Sequence, residues 1–83
     1  MIILNINGII REFENGDEYL SYLDSVINYW DTIENNISDN IRAGYSGLYI
    51  KLRTLYLQDH KIIFLEKNIQ DNLVFVTFHN KAE

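Results

Sequence analysis

The sequence predicts one α+β domain, an antiparallel sheet of about five strands with one amphipathic helix packed on one face, in the order β-β-α-β-β-β. Three observations carry this expectation. An Asn-Gly pair, Asn7-Gly8, lies between two apolar runs near the start of the chain. From Asp17 to Ile33 the residues divide into an apolar and an acidic half at the helical period. The second half of the chain is rich in β-branched and aromatic residues broken by polar turns. Eighty-three residues hold one hydrophobic core, so the domain spans 1–83, with 80–83 expected to fray.

The first hairpin follows from Asn7-Gly8, because both residue types tolerate the positive φ of a type I′ turn. A two-residue loop pairs Ile6 with Ile9, Leu4 with Arg11 and Ile2 with Phe13. Those six share a face that is apolar except for Arg11, while Ile3, Asn5, Ile10 and Glu12 lie on the other. Asn15 is placed to cap a helix, with Glu18 three residues on at capping-box spacing. Asp17 and Glu18 suit the positive end of the helix dipole.

Winding the chain at about 100° per residue puts Tyr19, Leu20, Tyr22, Leu23, Val26, Ile27, Tyr29, Trp30 and Ile33 on one half. Asp17, Glu18, Ser21, Asp24, Ser25, Asn28, Asp31 and Thr32 fall on the other. Trp30, Leu23, Ile27, Val74 and Val76 are the expected core. The helix is expected to weaken at Glu34 and Asn35-Asn36, with an irregular continuation to Arg42 ended by Ala43-Gly44.

For residues 45–57, Leu48, Ile50 and Leu52 alternate with Tyr49, Lys51 and Arg53, and a bulge near Arg53-Thr54 accounts for a slip in phase. A short helix competes, since Leu48, Leu52, Leu55 and Tyr56 also fit helical spacing; the strand is preferred. Gln58–Lys61 reads as a turn, Ile62–Glu66 as a strand and Lys67–Asn72 as a loop. Leu73–His79 reads as a central strand.

Composition narrows the function classes. The chain has no cysteine, which excludes disulfides, thiol nucleophiles and cysteine-based zinc sites. No apolar run approaches the ~20 residues of a membrane span, and nothing resembles a signal peptide, so the cytoplasm is the expected location. Thirteen isoleucines and ten asparagines against two alanines and no proline point to an AT-rich genome, bacterial or phage.

Chemistry-bearing patterns are sparse. His60 and His79 lack partners at metal-ligand spacing. The four glycines form no phosphate-binding loop, and Gly44-Tyr45-Ser46-Gly47 lacks the lysine such a loop needs. Asp17, Asp24 and Asp31 repeat every seven residues, about 10 Å apart along a helix, on a face too exposed to tune a general acid. The expectation is a protein that is not an enzyme and uses no cofactor or metal.

Charge is distributed unevenly. Between Arg11 and Arg42 stand eight acids and no base, whereas from Arg42 onward six bases face four acids; the chain carries −5 overall. An acidic helical half is thus expected to face away from a slightly basic sheet half. No i,i+4 opposite-charge pair relieves the acids of the first helix. Asp17, Glu18, Tyr22, Asp24, Tyr29 and Asp31 are therefore the candidate partner-binding residues. Tyrosine supplies contact area for few rotamers, and carboxylates at successive turns match a basic surface.

The leading functional expectation is a small acidic protein-binding inhibitor. It would block a basic, nucleic-acid-handling partner protein, as phage anti-defence proteins of the anti-CRISPR type or toxin-immunity proteins do. Direct binding of nucleic acid is disfavoured by the same charge, and no membrane partner is expected. The alternative is a dimeric assembly module working through apolar residues left uncovered on the sheet, Ile3, Ile10, Ile62 and Phe64 among them. A small-ligand sponge at a dimer interface is the third.

Overall fold

The computed structural model describes residues 1–34 and 36–81. Strands β1 (Ile2–Ile6) and β2 (Ile9–Phe13) form the expected hairpin, with Asn7 and Gly8 at φ of 51° and 88°. The register is also the expected one: Ile6 opposite Ile9, Leu4 opposite Arg11, Ile2 opposite Phe13. The Asn5 side chain fixes the turn by accepting a 2.8 Å hydrogen bond from the Gly8 N–H.

Helix α1 (Gly16–Thr32) starts where the capping pattern places it. The Glu18 N–H donates to Asn15 Oδ1 at 3.0 Å, and Glu18 Oε2 accepts from the Glu14 N–H at 2.8 Å. The helix stops at Thr32, so the irregular continuation to Arg42 does not form, although Asn35 itself lies outside the described residues.

A second helix replaces the strand expected over 45–57. Helix α2 (Asp39–Leu57) opens with Ser38, whose Oγ accepts from the Ile41 N–H at 3.2 Å, and carries Asp39 in its first turn. Its buried residues Ser46, Leu48, Tyr49 and Leu52 recur at helical spacing, and Ile50, which completed the apparent alternation, is exposed. Gly44 and Gly47 do not end the helix. Both sit inside it, with Gly44 against the Ile69 side chain and Gly47 beside the Lys67 ammonium. The true stop is at Gln58: Asp59 takes φ 66°, its N–H donates to the Tyr56 carbonyl, and the His60 N–H donates to the Leu55 carbonyl. This is a Schellman closure.

Strands β3 (Ile62–Ile69) and β4 (Asn72–Asn80) complete the sheet. They are joined by a two-residue turn, Gln70-Asp71, at φ of 49° and 67°, in place of the longer loop expected over 67–72. Asn68 Oδ1 accepts from the Asp71 N–H at 2.8 Å, the device Asn5 supplies in the first hairpin. Asn80 ends β4 and donates its N–H to the Lys61 carbonyl, while residues 82–83 of the expected frayed tail lie outside the described residues.

The sheet has four strands, all antiparallel, in the order β2-β1-β4-β3. The α+β class is as expected, but the order is β-β-α-α-β-β, so the five-strand, one-helix arrangement is wrong. β4 is central, as its sequence predicts, and pairs with β1 through Leu4–Phe78 and Ile6–Val76. Both helices lie on one face. The core there joins Ile2, Leu4, Ile63, Ile69, Val74, Val76 and Phe78 of the sheet to Tyr19, Leu23, Leu48, Tyr49 and Leu52 of the helices.

Leu23, Val74 and Val76 are buried as expected, but Ile27 and Trp30 are only half-buried. Trp30 stacks on Tyr45 at 4.7 Å between ring centroids, because α2 presents an aromatic partner beyond the sheet-facing core.

Candidate functional site

The predicted acidic face lies along α1, and each of its residues has a definite place. Asp17 is exposed in the first turn. Glu18 is occupied as a capping residue. Asp24 Oδ1 meets Arg53 Nε at 3.2 Å, and Asp31 Oδ1 accepts a 2.9 Å hydrogen bond from the Ser46 hydroxyl. Tyr22 is half-buried between Phe13 and Tyr49, with the Arg11 guanidinium carbon 5.0 Å from its ring centroid. Tyr29 is more than half exposed and meets Trp30 edge-on.

These contacts correct the expected charge layout. Because 45–57 is helical, Arg53 lies beside α1 in the same layer instead of across the domain in a sheet hairpin. The acids of α1 have no relief within their own helix, yet Asp24 and Asp31 both find partners on α2. Asp24 and Arg53 are each about half exposed or more, so the pair contributes little to stability, 0–1 kcal/mol at most by order of magnitude. Its consequence lies in the charge field: the middle of the α1 acidic row is partly neutralised.

Among the described residues, none is layered over the opposite face of the sheet. Ile3 and Ile10 of the first hairpin project there with Ile62, Phe64, Leu73 and Phe75 of the second. Exposure reaches 73% for Ile62 and 67% for Phe64, values that mark side chains with nothing packed on them. Cross-strand neighbours between these are Asn5, Thr77 and His79, with Glu12 and Glu66 at the margins. Sequence reasoning found Ile3, Ile10, Ile62 and Phe64. It missed Leu73 and Phe75, because the apolar run Leu73–Val76 reads as a strand covered on both faces. The period-two signal was present: Val74, Val76 and Phe78 are buried while Leu73, Phe75 and Thr77 are exposed.

On the helix-covered side, near the β2 edge, Leu4, Ile6, Ile9, Arg11, Tyr22 and Tyr49 surround a cavity of about 120 Å³. Burial, together with the neighbouring Tyr22, pushes the Tyr49 hydroxyl far above the ordinary phenol range; burial does the same to Tyr19. Among the described residues no group of three or more His, Asp or Glu is placed to hold a metal ion, and no helix is long and apolar enough to cross a membrane. Comparison of the chain with protein-family models, with curated proteins and with solved structures gave no match.

Proposed function

We propose that this chain is a non-enzymatic protein-binding module that assembles through the uncovered face of its sheet, its first partner being a second copy of itself. The observation that carries this reading is the set of exposed apolar side chains on one sheet face, Ile62, Phe64, Leu73 and Phe75 on β3 and β4, with Ile10 on β2 beyond Asn5 and Thr77. Burying such side chains is worth ~25 cal/mol per Å² of apolar area.

Two further features fit a second copy. Strands of five, five, eight and nine residues give the face a flat footprint on the order of 430 Å². That is about half of the ~800 Å² each partner contributes to a standard interface, so a second copy has to cover the whole sheet face. Charge fits as well. The strands carry only Glu12 and Glu66 as acids on this face, while the acids of α1 lie in the helical layer. Two chains of net charge −5 packed back to back keep their acidic helices on opposite outer surfaces.

Lysine at Phe64 or at Ile10 tests the reading. Each variant should run as a single chain on gel filtration with an unchanged far-UV spectrum. A parent and a Phe64→Lys variant that elute alike would count against it.

Inhibition of a basic, nucleic-acid-handling partner through α1 is a second reading, supported by the exposure of Asp17 and Tyr29. It has less support than the sheet face, since Glu18, Asp24 and Asp31 already have partners and Tyr22 is half-buried. Asp17→Asn combined with Tyr29→Ala should slow association with such a partner and leave self-assembly intact. Unaltered association would remove this reading.

A further inference from the structure

Arg11 is an anomaly in the strand that holds it. The positions of the first hairpin that face the helices are otherwise apolar, yet Arg11 stands among them directly opposite Leu4. Twelve acids are available in the chain, but among the described residues none forms an ion pair with Arg11. Its guanidinium instead lies over the Tyr22 ring, 5.0 Å from the centroid. A cation over a ring face is held without using its N–H donors in an ion pair, and among the described residues Arg11 forms none.

The cavity beside it is lined by Leu4, Ile6 and Ile9 on the sheet and by Tyr22 and Tyr49 on the helices. Its volume is about 120 Å³, room for a few heavy atoms, and it is open to solvent at Ile9 and Arg11, both of which are exposed. We propose that this cavity binds a small monocarboxylate, whose charged end pairs with Arg11 and whose short apolar body lies against Leu4, Ile6 and Ile9. A planar carboxylate matches the guanidinium fork bidentately. A phosphate dianion fits less well, because the site offers one cation within a chain of net charge −5. The Tyr49 phenol, raised by burial and by the neighbouring Tyr22, keeps its proton throughout the physiological range. The strand residues that line it, Leu4, Ile6, Ile9 and Arg11, alternate with Ile3 and Ile10 of the exposed sheet face, so the site shares no lining residue with the assembly surface.

The test uses amide correlation spectra of the full chain titrated with propionate, with propionamide (the same shape without the charge) and with inorganic phosphate. Propionate should give saturable shifts clustered at Ile6, Ile9, Arg11, Tyr22 and Tyr49, with a dissociation constant on the order of 1 mM. Propionamide should give none. Arg11→Gln should weaken binding at least about tenfold with its spectrum still dispersed, and Arg11→Lys should restore part of the affinity. Absence of saturable shifts with propionate, equal shifts with propionamide, tighter binding of phosphate, or full affinity in a folded Arg11→Gln chain would each overturn the proposal.

Discussion

Gly44 of α2 lies so close to β3 that a Cβ on it would stand 2.8 Å from Ile69 Cγ2. The same glycine accepts a 3.1 Å hydrogen bond from the Lys67 ammonium at its carbonyl. Glycine here sets the distance between helix and sheet. Alanine at 44 gains ~1 kcal/mol of helix propensity but overpacks the contact at a cost of ~1–3 kcal/mol. Gly44→Ala should therefore lower the denaturation midpoint. Ile69→Ala should be less damaging in the Gly44→Ala background than in the parent, by ~1 kcal/mol in a double-mutant cycle. Strict additivity would show that the two residues do not touch.

That contact also explains why residues 45–57 were misread from the sequence. A glycine pair ahead of an alternating segment signals helix end and strand start when only local propensity is weighed. Here both glycines lie against β3, in contacts between residues twenty or more positions apart. The helix signals that do lie in the sequence are the Ser38 cap and the Leu48, Leu52, Leu55 and Tyr56 spacing. Local features were legible: the Asn7-Gly8 turn with its register, the Asn15–Glu18 cap and the central place of β4. The candidate site was half legible. The acids of α1 were found, but their partners Arg53 and Ser46 come from the helix that was read as a strand.

Tyr19 is wholly buried at the centre of an aromatic group with Phe13, Tyr56 and Phe78, and its hydroxyl has no hydrogen-bond partner. An unpaired buried hydroxyl costs ~1–3 kcal/mol of desolvation. Tyr19→Phe keeps the ring packing and removes that cost, so it should raise stability by ~1 kcal/mol, a few degrees in melting temperature for a domain of this size. A melting temperature lowered by the substitution would mean that the hydroxyl is satisfied in solution.

Alkaline stability follows from the same burial. The Tyr19 and Tyr49 hydroxyls are both held above the ordinary phenol value of 10.0, chiefly by desolvation. The unfolded chain then loses these protons first as pH rises, so stability is full below pH ~10 and declines above it. Denaturant midpoints measured between neutral pH and pH ~11 should fall, and Tyr19→Phe should flatten the fall. A midpoint independent of pH across that window would show both phenols ionising as freely in the folded chain as in the unfolded one.

With Ile10, Ile62, Phe64, Leu73 and Phe75 exposed on one sheet face, the chain should pair with a second copy in solution. The most direct test of this pairing is the mass of the native chain in solution, followed by light scattering through a dilution series. Twice the 9.8 kDa chain mass is expected at high concentration, falling toward one chain on dilution, with Phe64→Lys at one chain throughout. A native protein of single-chain mass at every concentration would contradict it, as would a Phe64→Lys chain that keeps the doubled mass.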